Sequence, residues 1–467
     1  MNFKLKNKSG ITLIALIITI IVMLILVGVV VTVVIQSNLL GTAKTAGDKY
    51  KTAYEDESNM SEVTINGEKY ASIEDYIEST KPLPEIKAGE RAETNSNYKG
   101  VTIPKGFTVS KIPEEKTIDG GLVIYDIPKE DIENAGEDFW TKTTTVGTEN
   151  YPTVQCDYNQ FVWVPVETPY VTKAELNKIM SDSNGSITTE KAALQSLVDS
   201  GKYPMAVELA NGTDYRGVLY EFSAGTNKVN IEVMDFSTEA NYDDGSVTYY
   251  REPAKLSSTD SNKVNQTEEQ NLDLQTEYNK IVKSVKAQNG FWVARYELSY
   301  NTKGESKRGK TVANAGDSAT YKWYGLYNAC KTVCQASNKN EMQSSMIYGS
   351  QWDQIMIWMK EVKNTNDSLK YYILDSSNMG NYNTESGETG SPQVSGYKNA
   401  YSVKQIFDLG GNLYEWNTEV YNTYGRGLRG GYYYNFSSRT PIHARFDDPP
   451  TCTYSYSTAR VALYVLL

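Results

Sequence analysis

The longest apolar stretch comes first: no charged residue occurs from Ile11 to Ile35. A run of about 25 residues is enough for a helix to cross the hydrocarbon core of a bilayer. Lys4, Lys6 and Lys8 precede it, so an inserted helix keeps its N-terminus cytoplasmic and the rest of the chain is exported. An ordinary secretory signal has a shorter apolar core and a small-residue cleavage site, whereas this run is entered directly from Lys8-Ser9-Gly10. Leu39, Ala43, Ala46, Tyr50 and Ala53 then recur at helical spacing and carry an amphipathic continuation to about Asp56. Residues 11–60 are therefore read as one membrane-proximal helix.

Ser72 to Ser79 reads as a short capped helix, and Lys81-Pro82-Leu83-Pro84 with the polar stretch to Asn97 reads as a linker. Together these make residues 61–97 a short helix and linker. A head then spans 98–467. Gln160 to Val166 and Gly290 to Glu297 have the β-branched and aromatic content of buried strands. Between them, at about 167–288, the chain turns polar with weak periodicity, which predicts an inserted decoration outside the core. Trp323 to Ser337 and Ser350 to Val362 read as helices, the second with Trp352, Ile355, Met356 and Met359 on one face. No repeat of 20 to 50 residues is visible.

Composition narrows the partners. With 46 basic against 57 acidic residues the net charge is −11, which argues against a nucleic-acid partner. The 36 tyrosines against 10 phenylalanines favour surfaces that are both wet and adhesive.

Three motifs carry resemblances. Residues 8–16, K-S-G-I-T-L-I-A-L, resemble a type IV prepilin signal. The resemblance implies cleavage by prepilin peptidase after Gly10, the leader being residues 1–10. Ile11 becomes the mature N-terminus, and the helix sits in the membrane or packs with other pilins. Most pilins have glutamate at the fifth mature position; this chain has Ala15, which fits a filament-tip subunit or a plain anchor better than a repeating one. Phe291 to Glu297 (F-W-V-A-R-Y-E), Asp408 to Trp416 (D-L-G-G-N-L-Y-E-W) and Leu428 to Gly431 (L-R-G-G) resemble the formylglycine-generating-enzyme/sulfatase-modifying-factor domain. That resemblance implies an α+β chain: a long N-terminal pilin-like helix followed by a C-type lectin fold head. No cofactor is required on this reading, although the family binds calcium. By position, Asp408 and Glu415 would give carboxylates, and Gly411 and Leu413 backbone carbonyls. Gly410-Gly411-Asn412 predicts a positive-φ turn and Gly430-Gly431 a close backbone crossing.

The family's oxidases use a cysteine pair downstream of R-G-G. The matching stretch here, Gly431 to Phe446, has none, so an enzyme is not expected. Of the four cysteines, Cys330 and Cys334 lie one helical turn apart, where buried small side chains are the simplest role, and Cys156 and Cys452 stand alone. The single histidine, His443, has no nucleophile turn beside it.

The stretch 428–467 changes character. Tyr432, Tyr433, Tyr434, Asn435, Phe436, Ser437 and Ser438 come first. His443, Phe446, Asp447, Asp448, Thr451, Cys452, Thr453, Tyr454, Ser455, Tyr456 and Ser457 follow. Arg439, Pro441, Ala444, Arg445, Arg460, Val461 and Ala462 are interspersed as framework. The first two groups hold residue types whose codons are reached from an asparagine codon by changing adenines. This resembles the variable region of a diversity-generating retroelement target, and implies a ligand-binding face for an unidentified protein or glycan. The expectation is a non-catalytic adhesin or receptor at the cell surface, membrane-anchored or borne as a minor or tip pilin. The alternatives are a structural pilin or scaffold with no specific ligand, and a residual formylglycine-type oxidase.

Overall fold

The computed structural model describes residues 63–65, 68–70, 72–73, 80–234, 250–299, 305–312, 322–335, 342–364, 370–377, 379–382, 390–435, 440–453 and 455–465. The leader, its Gly10–Ile11 junction and the apolar helix lie outside these residues. Among the described residues no helix is long and apolar enough to cross a membrane. The chain divides into two compact units, Met1–Leu83 and Pro84–Leu467. In the first, Val63–Ile65 and Glu68–Tyr70 form an antiparallel hairpin.

The second unit begins earlier than the expected boundary at 98. Asn97 donates to the Pro84 carbonyl at 2.8 Å and Ile86 donates to the Asn97 carbonyl at 3.0 Å. Ile86 and Ala92 are buried among Phe107 and Val109. The polar composition of 84–97 reads as a linker because only Ile86, Ala88 and Ala92 supply its apolar contact with this core.

Two sheets organise this unit. The strands of these sheets and of one separate hairpin are, in chain order, β1 (Thr108–Val109), β2 (Val123–Tyr125), β3 (Gln160–Pro165), the hairpin pair β4 (Tyr220–Ala224) and β5 (Val229–Val233), β6 (Gly290–Ala294), β7 (Met342–Met346), β8 (Tyr414–Val420), β9 (Arg426–Arg429), β10 (Phe446–Asp448), β11 (Ser457–Ala459) and β12 (Val461–Val465). The longer helices are α1 (Lys173–Asp182), α2 (Glu190–Asp199), α3 (Leu274–Gln288), α4 (Trp323–Gln335) and α5 (Gly349–Met359). The central antiparallel sheet has the order β7-β12-β6-β3-β2-β1. The second sheet has the order β10-β9-β8-β11, with β8 and β11 parallel.

Alternation along the central strands feeds both faces, because successive side chains of a strand point to opposite sides. Val162, Val164, Phe291 and Val293 enter one core; Phe161, Trp163, Trp292 and Ala294 enter the other. The register pairs Trp163 with Trp292, whose rings lie 5.1 Å apart. The first face is covered by α3 and α5, the second by α4 and by Tyr414, Trp416 and Leu428 of the second sheet.

The insertion is not the decoration that its polarity predicts. Leu176, Leu194, Met205, Val207, Tyr278, Ile281, Val282 and Val285 are buried in the first core, and α3 lies across β6 and β12. Its apolar residues are few but are concentrated on the inward faces of short elements, so an average over the segment hides them. The helix α5 is likewise buried on nearly all sides, Asp353 included, and not only along its Trp352–Met359 face.

Ile281→Ala should lower the unfolding free energy of the full chain by about 2–5 kcal/mol in urea denaturation, as a core truncation does. A loss below about 1 kcal/mol, the size of a surface effect, would return the insertion to the periphery.

Candidate ligand-binding face

The chain enters the candidate face through β9, and the glycines after it set the path. Gly431 has φ +74°, and a β-carbon there would meet the Thr440 hydroxyl at 2.5 Å and its carbonyl at 2.7 Å. Gly411 has φ +74° and passes the Asn381 carbonyl with similar closeness, at 2.6 Å. Both positions exclude a side chain. The turn at Gly411 and the crossing at Gly431 are where the sequence places them.

Beneath the face lies a closed set of four buried charges. Arg429 donates to Asp353 Oδ1 at 2.6 Å and to Glu419 Oε1 at 2.9 Å. Arg445 donates to Asp353 Oδ2 at 2.5 Å and to Glu419 Oε2 at 3.1 Å. Burial raises the Glu419 carboxyl, but the two guanidiniums overcome it and hold it below the usual range. For Asp353 burial outweighs the same two partners and leaves it above its usual value. The remaining donors tie this set to the backbone. Arg429 donates to the His443 carbonyl at 3.1 Å and Arg445 to the Tyr220 carbonyl at 2.7 Å. Tyr220 N donates to Asp353 at 2.8 Å, so the insertion strand β4 is bound at both ends of one residue.

The framework positions are fixed in the same way. Trp352 Nε1 donates to the Ile442 carbonyl at 3.1 Å, and Tyr382 donates to the Thr440 carbonyl at 2.9 Å. Arg460 is fully buried; it donates to the Ala294 and Phe407 carbonyls at 3.0 and 2.9 Å and forks onto Glu415. Pro441, Val461 and Ala462 are buried, and Ala444 is half-buried. Arg439 lies outside the described residues.

On this base the candidate binding residues reach solvent to different degrees. Tyr434 is 52% exposed, while Thr453 and Ser455 are exposed. Tyr432, Tyr433, Asn435, His443, Phe446, Asp447, Asp448, Thr451, Cys452 and Tyr456 are half-buried. Phe436, Ser437, Ser438 and Tyr454 lie outside the described residues. Ser457 departs from the expectation. It opens β11, pairs with Tyr414 and is fully buried, so strand pairing turns it inward and makes it framework. Thr451 turns its hydroxyl onto the Lys263 carbonyl at 3.0 Å, holding the loop against the insertion.

The rings gather around Tyr432. Its centroid lies 4.7 Å from Tyr456, 5.2 Å from Tyr414, 5.3 Å from Tyr433 and 6.2 Å from Tyr434. Tyr414 also meets Phe446 at 5.4 Å and is buried, the floor of the cluster. The sequence reading missed Tyr414, although strand alternation with Trp416 puts it on the same face. It missed Glu419 and Asp353 too; the signal was one acid inside an otherwise apolar helix.

Burial shifts two titratable groups at the face. Burial, then the Arg429 and Arg445 charges, pushes His443 down to about 4, so its imidazole is neutral at pH 7. Burial, then neighbouring Asp448, pushes Asp447 up to about 6. Burial raises the Cys330 and Cys156 thiols.

The implied calcium ligands do not fit that ion. Arg460 donates to both Glu415 oxygens, and Asp408 accepts from Gly396 N at 2.7 Å. Glu297, the acid of F-W-V-A-R-Y-E, accepts from Asn412 Nδ2 at 2.5 Å and from Leu413 N at 3.2 Å. Arg460 supplies within the protein the positive charge that a cation would bring. Gly411 and Leu413 remain in the turn as backbone only. Among the described residues no group of three or more histidine, cysteine or acidic side chains is placed to hold a metal.

No family model matches the chain, and no curated protein matches it. Solved structures align over parts of it. Treponema denticola variable protein 1 aligns at 14% identity over 37% of this chain and 84% of its own, with a TM-score of 0.27. PvdO from Pseudomonas aeruginosa aligns at 9% identity over 38% of this chain and 82% of its own, with a TM-score of 0.27. The Major Tropism Determinant M1 variant aligns at 12% identity over 55% of this chain and 64% of its own, with a TM-score of 0.27.

Two outcomes follow from the charges. Arg429→Met strands two buried carboxylates on one guanidinium and should cost about 3–5 kcal/mol in denaturant unfolding, with Arg429→Lys intermediate because an ammonium cannot fork. Between about pH 4 and 6.5 the unfolded chain carries a proton at His443 that the folded chain lacks. That part of the stability is complete above pH 6.5 and disappears as pH falls through 4. Thermal melts should therefore show the wild type losing more stability than His443→Gln on acidification from pH 7 to about 4.5, within that window. Equal losses would refute the neutral, buried imidazole.

Proposed function

We propose that this chain is a non-catalytic adhesin or receptor that binds through its tyrosine-rich C-terminal face. The observation that carries the reading is the contrast between Tyr432, Tyr433, Tyr434 and Tyr456, packed on one another at the surface, and the charge-paired framework under them. Large rings offer contact area with little rotamer entropy to lose, while Asn435, Asp447, Thr453 and Ser455 offer adaptable hydrogen bonds. Binding on this reading is non-covalent, and burial keeps the one imidazole neutral at pH 7.

On this reading the N-terminal helix anchors the chain in the membrane and the head is displayed outside the cell. Prepilin peptidase would process it at Gly10–Ile11, and it would stand with other pilins as a minor or tip subunit, consistent with Ala15. The ligand is a protein or glycan and not nucleic acid, and the C-terminal positions are retroelement-diversified while the framework is kept.

Changing Tyr432, Tyr433, Tyr434 and Tyr456 together to alanine should abolish adhesion of cells displaying the chain, with surface display unchanged. Adhesion that persists at full display would leave a scaffold without specific ligand. In sister isolates, substitutions should concentrate at 432–438 and 443–456; an even spread along the chain would remove the diversification.

A further inference from the structure

Tyr414 stands apart from the tyrosines around it. It belongs to the framework strand β8, yet its ring meets residues of the candidate face: Tyr432 at 5.2 Å, Phe446 at 5.4 Å and Tyr456 at 6.3 Å between centroids. Backbone groups set this position. Tyr433 N donates to the Asn412 carbonyl and Tyr414 N to the Tyr456 carbonyl, each at 2.9 Å. Residues 412–414 therefore bridge the two limbs of the face through groups that no side-chain substitution at 433 or 456 removes.

A buried tyrosine hydroxyl ordinarily finds a hydrogen-bond partner. Tyr414 is 8% exposed, and among the described residues its hydroxyl has no such partner. It is not sealed in as the Trp416 indole nitrogen is, so an incoming group can reach it. Burial first, then Tyr432, Tyr456 and Asp448, raises the phenol, which keeps its proton and donates. Asp448 lies two residues from Phe446 on β10 and so projects to the same face of that strand. A phenol donor beside a carboxylate disfavours an anion. It matches a neutral group that accepts at one atom and donates at another, as an amide does. Access is narrow, since the Tyr432 and Tyr456 centroids lie 4.7 Å apart. A planar amide enters edge-on where a puckered sugar ring does not.

From this deeply buried, unpaired hydroxyl, held by backbone beneath the rings, we infer that Tyr414 is a constant ligand contact that donates to an amide carbonyl of a protein ligand. This rests on the binding reading of the face and deepens it. Ligands that differ at the surrounding rings then share one hydrogen bond, supplied by a framework residue.

The probe is a peptide selected from a random-peptide library on the purified full-length chain and not bound by the four-tyrosine alanine variant. Tyr414→Phe keeps the ring and removes only the hydroxyl. It should weaken the peptide about two- to tenfold, the worth of one hydrogen bond, with the melting temperature unchanged or higher. Amide-to-ester replacement along the peptide should find one carbonyl whose weakening costs affinity in the wild type and nothing further in Tyr414→Phe. A hydroxyl that only supports the fold does not produce that coupling. Four results overturn the inference: unchanged affinity in Tyr414→Phe, a lowered melting temperature alongside the loss, ester effects that simply add, or N,N′-diacetylchitobiose binding as tightly as the peptide. If the peptide survives Tyr414→Phe while the alanine variant still fails to bind it, the face stands and only the Tyr414 contact falls. A library that yields no such peptide overturns the protein ligand itself.

Discussion

Two arginines and two acids, Arg429, Arg445, Asp353 and Glu419, hold the candidate face to the rest of the head. Each comes from a different place: the end of β9, the candidate binding segment, the middle of α5 and β8. Charges removed from water are costly unless each is compensated, and removing any one leaves another exposed to that cost. The set is therefore cooperative. It admits one relative placement of helix, sheet and binding segment. The guanidiniums reach further, to the His443 and Tyr220 carbonyls, and so bring the insertion under the same constraint.

That arrangement explains how a surface stretch of tyrosine and small polar residues is well placed although few of its side chains enter the cores. The segment between Gly431 and Ser457 contributes few side chains to either core. Its path is set by backbone acceptors, with Trp352 and Tyr382 donating to Ile442 and Thr440 and Arg460 holding the strand turn after Ser457. Side chains outside those anchors can change without disturbing the fold. The ring cluster around Tyr432 is built on Tyr414, a floor supplied by the framework strand β8.

The carboxylates around the Asp408 turn serve a different end from the one their family resemblance implies. Glu415 meets Arg460, Asp408 meets the Gly396 amide, and Glu297 meets Asn412 and Leu413. A guanidinium, two backbone amides and the Asn412 side-chain amide, all belonging to the chain, hold these carboxylates.

The sequence alone determined the elements whose signal is local. The β-branched and aromatic content of 160–166 and 290–297 marked β3 and β6 as buried strands, the apolar residues of 323–337 and 350–362 marked α4 and α5, and the glycines at 410–411 and 430–431 marked the turn and the crossing. The charge-free run from Ile11 to Ile35 and the tyrosine-rich end were legible for the same reason, since composition and spacing are properties of neighbouring residues. What the tertiary structure decided depends on residues far apart in sequence. The insertion entered the core because short faces of α1, α2 and α3 combine only after folding. Residues 84–97 joined the head through pairing with their own far end. Ser457 turned inward because β11 pairs with β8. Asp353 and Glu419 found their arginines across the sheet, a contact that no spacing announces.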